Sequence, residues 1–136
     1  MTVSESQKKE LVRRACEIRK NAYATYSKFP VGASLLTEDG TFFDGVNVEN
    51  ASFGLTTCGE RSAIFAAVSA GYQKFQAVAV ATDGAASPCG ACRQVLTEFA
   101  PELLVLLVDP ARPDDVAETT LDKLLPGRFV FPHKDD

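Results

Sequence analysis

An α/β domain built on a mixed sheet is the fold class this chain predicts, and three observations carry the prediction. Strand-length segments at 31–36 and 41–46 flank Glu38-Asp39-Gly40, where the Asp-Gly pair supplies the positive φ of a tight hairpin turn. That predicts an antiparallel pair. Apolar runs at 75–82 and 103–108 are each preceded by a helical segment, an alternation that pairs strands in parallel. Residues 59–70 are apolar on nearly every side (Ala63, Ile64, Phe65, Ala66, Ala67, Val68, Ala70) and stop at Gly71, which predicts a buried central helix with a glycine cap.

The remaining elements follow in chain order. Ser4-Glu5-Ser6-Gln7 forms a capping box, and Leu11, Ala15, Ile18 and Ala22 recur at helical spacing, giving a first amphipathic helix to about residue 23 with Lys and Arg on its outer face. A third helix spans 89–99. Residues 109–115 hold two prolines and form a surface loop, 116–119 supply a short fifth strand at the edge, and 121–125 make one helical turn before Pro126. No internal repeat or low-complexity segment interrupts the chain.

With 136 residues, 46% of them apolar and 24% charged, residues 1–136 fit one globular domain with an adequate core. There is no stretch of eighteen apolar residues and no basic segment leading into an apolar run, so neither a membrane span nor a leader peptide is expected and the cytoplasm is the expected compartment. A formal net charge of −4 argues against tight non-specific binding to a nucleic acid polymer, which depends on neutralising phosphates.

The chemistry lies in Thr57-Cys58-Gly59-Glu60-Arg61 and in Ser87-Pro88-Cys89-Gly90-Ala91-Cys92-Arg93-Gln94. A Cys-x-x-Cys pair alone also marks redox pairs and halves of zinc ribbons. A structural ribbon needs a fourth ligand, yet the other cysteine, Cys16, falls in the amphipathic helix as a small core residue, and the one histidine, His133, lies in the charged C-terminal tail. Three cysteines suit a catalytic zinc, which keeps its fourth position for water. Zinc brings the pKa of that water toward neutrality, and a carboxylate close by but off the metal shuttles its proton. Glu60, two residues after Cys58, is tethered for that task.

The predicted layout sets Cys58 and the Cys89/Cys92 pair at the N-terminal ends of two helices, where exposed N–H groups and the helix dipole favour thiolate over thiol. Pro88 suits such a start, since its missing N–H costs nothing there. Three thiolates against one divalent ion still leave surplus negative charge, which neighbouring donors must offset. Grouped thiols also suit a reducing compartment better than a disulfide scaffold.

Cys58-Gly59-Glu60 with Pro88-Cys89-Gly90-Ala91-Cys92 resembles the signature of the zinc nucleoside and nucleobase deaminases, in which the glutamate is not a ligand. Tyr26-Ser27-Lys28-Phe29-Pro30-Val31-Gly32-Ala33, Asn47-Val48-Glu49-Asn50-Ala51, Cys92-Arg93-Gln94-Val95 and Leu124-Leu125-Pro126-Gly127 are similar to the small cytidine deaminases that assemble as homotetramers. The resemblance spans about residues 10 to 130. It implies a three-layer α/β/α fold around a five-stranded mixed sheet, with an N-terminal antiparallel hairpin and parallel later strands. It also implies one zinc ion per chain held by Cys58, Cys89 and Cys92, with Glu60 as the proton carrier, and Arg61 and Gln94 as hydrogen-bond donors to the ligand sulfurs.

For substrate, the resemblance assigns Phe29 to stacking on a pyrimidine and Asn47 with Glu49 to holding the sugar. Backbone N–H groups near Gly59 and Cys89 would orient the ring. Alternation along an extended strand puts Asn47 and Glu49 on one side, though an ordinary loop pair accounts for them equally well on pattern alone. Phe53 followed by Gly54 stands where Tyr-Ser or similar is common in the family, with Phe53 as a substrate-binding residue, and Phe129 matches a residue that completes a neighbouring subunit's pocket. Gly59 replaces a common alanine, which suggests added room near the substrate and tolerance of substituted cytidines. The implied reaction is hydrolytic deamination of cytidine and deoxycytidine to uridine and deoxyuridine with loss of ammonia. Its rivals are deamination of blasticidin S, which Glu49 disfavours, deamination of RNA or DNA, which the acidic chain disfavours, and a non-catalytic zinc-stabilised binding module.

Overall fold

A computed structural model describes residues 2–132. Helix α1 (Glu5–Ile18) opens on the expected capping box: Ser4 Oγ accepts from Gln7 N at 3.1 Å, and Gln7 Oε1 accepts from Ser4 N at 3.0 Å. The helix stops short of residue 23. Arg19–Asn21 tightens into a 3₁₀ turn, after which Tyr23 N donates to Asn47 O at 3.0 Å and Tyr23 bridges Val48 in parallel. Pairing with a distant segment thus overrides the helical spacing that continues to Ala22.

Strands β1 (Gly32–Thr37) and β2 (Phe42–Val46) form the predicted hairpin, with Gly40 at φ 91° in the turn. Asp39 Oδ1 organises that turn by accepting from Thr37 Oγ1 at 2.6 Å and from Thr41 Oγ1 at 2.8 Å. With β3 (Phe75–Ala81), β4 (Leu104–Val108) and β5 (Ala117–Thr120) they complete a five-stranded sheet in the order β2-β1-β3-β4-β5. β1 runs antiparallel to both neighbours, β3 and β4 are parallel, and the edge strand β5 is antiparallel to β4. Helices α2 (Gly59–Ser69), α3 (Gly90–Phe99) and α4 (Leu121–Leu124) and a 3₁₀ turn at Phe53–Leu55 supply the rest of the helical structure among the described residues.

The period of two along the strands divides the core into two faces. Ala77, Ala79 and Ala81 of β3 join Leu36, Leu106 and Val108 beneath Leu11, Val12 and Ala15 of α1. Val78 and Val80 join Ala33, Leu35, Val105 and Leu107 on the opposite face, against Ala63, Ile64 and Ala67 of α2, Leu96 of α3 and Leu121 of α4. The result is helix, sheet, helix in three layers. Cys16 is half-buried against the α1-side cluster, and burial pushes its thiol pKa up, which fits a packing role. His133 lies outside the described residues.

Helix α2 corrects the expectation of burial on nearly every side. Ala63, Ile64 and Ala67 are sealed against the sheet, but Phe65 is 51% exposed and Ala66 also faces outward. Only one face of a helix can meet one sheet, so an apolar helix in an outer layer keeps an apolar outer face. Gly71, at φ 98°, ends it as expected.

Strand register gathers the functional segments at one edge. Gly32 pairs with Val46 and with Ala81, so the start of β1, the end of β2 and the end of β3 lie side by side. Residues 29–31, 47–49 and 82–92 all enter or leave the sheet there.

Candidate active site

Cys58 is the N-cap of α2 and Cys89 the N-cap of α3, with Cys92 inside the first turn of α3. The bridge between Val48 and Thr57 fixes the approach to α2, and Arg93 fixes α3 by donating from Nε to Pro88 O at 2.8 Å and from Nη1 to Leu124 O at 2.7 Å. Two helix N-termini therefore converge on one point, as the sequence predicts. The three Sγ atoms lie within 4.8 Å of one another, at 3.8 Å for Cys58–Cys89 and 3.5 Å for Cys89–Cys92. Zn–S bonds of about 2.3 Å in a tetrahedron place sulfurs about 3.8 Å apart, so the donor set fits zinc.

The electrostatics agree. Cys58 is pulled down to about 5 by the hydrogen bond from Cys92 and by the Arg61 guanidinium, whose Nη2 stands 3.2 Å from its sulfur. Cys92 is pushed up by its contact with Cys58 and by burial. Three sulfurs this close cannot all carry charge unaided, and a divalent cation among them removes the conflict.

Glu60 occupies the first turn of α2 and is 4% exposed. Burial raises its carboxyl pKa to about 6, with the Cys58 charge adding to the shift, so it sits where a group that both takes and gives a proton near neutrality should sit. Arg61 meets the expected sulfur, while its Nε is buried without a partner among the described residues. Gln94 instead donates to Phe129 O at 3.4 Å, so its amide reaches the C-terminal segment.

The loop carrying Phe29 is held from two sides. Asn47, 6% exposed, donates from Nδ2 to Phe29 O at 2.9 Å and accepts from Val31 N at 2.9 Å. Glu49 accepts from Tyr26 N at 2.9 Å and Ser27 N at 3.0 Å on Oε1, and from Ser27 Oγ on Oε2. These bonds, that of the Ser27 side chain first, hold the Glu49 carboxyl below the usual range. Both residues lie opposite the exposed Val48, in keeping with strand alternation. Ser27 and Lys28 were not assigned roles from sequence. A serine two residues before a loop aromatic is an ST-turn signal, and Ser27 Oγ does accept from Phe29 N at 3.0 Å.

Phe53 is 75% exposed and packs edge-on against Tyr26 with centroids 6.0 Å apart, and Phe129 is 69% exposed. At Gly59 a methyl group would meet Val31 Cγ1 at 3.1 Å, Val31 O at 3.3 Å and Gly45 O at 3.4 Å. The glycine thus loosens a packed seam between α2 and the hairpin. It does not open a free pocket, which weakens the expectation of extra room for substituted substrates.

Residues 5–108 match the family profile described as the cytidine and deoxycytidylate deaminase zinc-binding region. A cytidine deaminase from Sporosarcina psychrophila is 48% identical over 122 residues, covering 88% of this chain and 89% of the relative. A crystal structure of cytidine deaminase from Burkholderia pseudomallei superposes with a TM-score of 0.83 at 48% identity, covering 88% of this chain and 97% of that one. A blasticidin-S deaminase from Bacillus cereus is more distant, at 29% identity over 131 residues, 89% of this chain and 91% of the relative. Profile, sequence and backbone agree with the thiol cluster, and the chain belongs to the cytidine and deoxycytidylate deaminase family.

Proposed function

We propose that this protein is a zinc-dependent hydrolase that converts cytidine and deoxycytidine to uridine and deoxyuridine with release of ammonia. The observation that carries the reading is the cluster of Cys58, Cys89 and Cys92 at two helix ends with the buried carboxyl of Glu60 beside it, close enough to feel Cys58 and Cys92. Cys58, Cys89 and Cys92 hold the zinc. When bound, the ion supplies Lewis acidity that brings a water molecule's pKa toward neutrality.

Glu60 takes one proton of the attacking water and passes it to N3 of the cytosine ring, and then takes the proton of the new C4 hydroxyl and delivers it to the amino group, so that the C4 carbonyl forms as the C4–N bond breaks and ammonia leaves. Its burial suits both directions of transfer, because the raised pKa makes the acid and base forms accessible near neutrality. Arg61 steadies the Cys58 thiolate. Phe29 stacks on the base, N–H groups near Gly59 and Cys89 orient the ring, and Asn47 and Glu49 face the sugar. A carboxylate held below its usual pKa is a dependable acceptor for a sugar hydroxyl.

The reading takes residues 1–136 as one deaminase domain acting in the cytoplasm. Its support is a single sheet shared by both cores and a set of four free cysteines suited to a reducing compartment. Among the described residues, no helix is long and apolar enough to cross a membrane. It also takes the active unit as a homotetramer in which Phe129 helps complete a neighbouring subunit's pocket, with Phe53 a further substrate-binding residue. The exposure of five large apolar side chains, Phe53, Leu55, Phe65, Phe129 and Phe131, supports this, since exposed apolar surface in such quantity favours burial against another chain. A fully active monomer would overturn the assembly but not the chemistry.

The test is incubation of the purified protein with cytidine, following the loss of ultraviolet absorbance, beside Glu60→Gln. Wild type should turn over, and the variant should keep zinc yet lose about 10²–10⁴-fold in kcat. Equal turnover by the variant would remove Glu60 as proton carrier, and zinc binding without any turnover by wild type would favour the binding module. Turnover of blasticidin S in preference to cytidine would favour that rival.

A further inference from the structure

We infer that Ser27 is a positioning residue that couples the sugar-holding carboxylate of Glu49 to the base-stacking ring of Phe29. The inference rests on the proposed nucleoside reading of the site and adds to it a residue and a specificity.

A serine hydroxyl has one proton to donate and two lone pairs. Ser27 Oγ gives its proton to Glu49 Oε2 and accepts the N–H of Phe29 at 3.0 Å. Glu49 Oε1 is meanwhile filled by the N–H groups of Tyr26 and Ser27. A carboxylate offers about four acceptor sites, so three are taken and one on Oε2 is left to face a ligand hydroxyl. The direction of that remaining lone pair is set by Ser27.

The same hydroxyl fixes the peptide that begins Phe29, and Asn47 fixes the carbonyl that ends it. Between Ser27 and Phe29, Lys28 stands at φ 59°, a left-handed backbone that a lysine adopts only when its surroundings impose it. The three bonds from Glu49 to residues 26 and 27 and the turn closed by Ser27 are what impose it. Aromatic and carboxylate therefore move as one unit, with the spacing between base and sugar contacts set by the bonds that tie Glu49 to residues 26 and 27 and Ser27 to Phe29.

This predicts a specificity effect that simple loop loosening does not. Ser27→Ala should lower kcat/KM for cytidine about ten- to thirty-fold, mostly through KM, because the lost bond is to a charged group. For 3′-deoxycytidine, which lacks the hydroxyl that Glu49 would hold, the loss should be about threefold or less. Ser27→Thr keeps the hydroxyl and should restore selectivity to within about threefold of wild type. Zinc content and thermal midpoint, measured on each variant, confirm folding.

Equal losses on both substrates would overturn the coupling and leave Ser27 as a structural turn residue. So would failure of Ser27→Thr to restore selectivity in a protein that retains zinc. Absence of cytidine turnover by wild type would instead bring down the underlying nucleoside reading, so the two failures are distinct.

Discussion

Gly45 gives the sharpest test of how the sheet positions the site. A methyl group added there would lie 2.3 Å from Ala63 N, 2.6 Å from Gly59 O and 2.9 Å from Ala63 Cα, against 3.4 Å or more for an ordinary contact. Every neighbour is backbone of α2, so no side chain can swing away and the helix must retreat by about 1 Å. Overpacking typically costs about 1–3 kcal/mol, and with the three nearest atoms all rigid backbone we expect Gly45→Ala to cost about 3 kcal/mol. For a domain of this size that lowers the thermal midpoint by about 10 °C. Because α2 carries Cys58 and Glu60, the variant should also release zinc more readily to a chelator. Gly59→Ala is the matched control. Its nearest contacts, Val31 Cγ1 at 3.1 Å, Val31 O at 3.3 Å and Gly45 O at 3.4 Å, need only a few tenths of an ångström of adjustment, and the better helix propensity of alanine offsets the crowding to within about 1 kcal/mol. The assays are thermal and urea unfolding with zinc stoichiometry. A Gly45→Ala protein within about 1 kcal/mol of wild type would refute the claim that close backbone approach seats α2.

Two further outcomes are expected. Zinc binding requires all three thiols deprotonated, and Cys92 is pushed above its ordinary value, so lowering the pH makes protons compete and affinity must fall. A metallochromic dye should register zinc release that grows on acidification and is already extensive near neutrality in Cys92→Ser; retention independent of pH would count against a thiolate site. Asn47→Ala strips the partners from the Phe29 carbonyl and the Val31 N–H in a buried setting, and it should cost about 2 kcal/mol in urea unfolding while raising KM for cytidine. Unchanged stability would mean that the loop is held by Glu49 and Ser27 alone.

The fold was largely legible because its signals are local. A Ser-x-x-Gln box, an Asp-Gly turn and a glycine after an apolar run each act within a few residues, and each produced the element expected of it. Helical spacing runs on to Ala22 while the first helix ends at Ile18, because Tyr23 pairs with residues 47–48, a contact that no local pattern encodes. The exposed face of α2 is not legible for a related reason: apolar composition gives the tendency to be covered, but not which chain does the covering. At the site, the grouping of Cys58, Cys89 and Cys92 was readable from number and spacing, since three thiols and a tethered carboxylate have few other uses. The hydrogen-bonding roles of Asn47 and Ser27 were not. They depend on how a loop of irregular backbone closes, with Lys28 in a left-handed conformation that sequence does not signal.

The placement of the site follows from the direction of three strands. β1 enters the sheet where β2 and β3 leave it, because β1 is antiparallel to both. Segments leading into β1 and out of β2 and β3 must then meet at one edge, whatever their sequences. Residues 29–31 and 47–49 are bonded to each other through Asn47 at that edge, while 82–92 turn back into α3 and bring Cys89 and Cys92 with them. α2 is the one contributor not fixed by strand direction, since it arrives from a loop through the Val48–Thr57 bridge. Its depth is set by contact with Gly45 one residue before the end of β2. Cys58 and Glu60 on α2 and the loops at 29–31 and 47–49 are therefore referenced to the last residues of one hairpin strand, which is why a single methyl group there should disturb zinc retention and stability together.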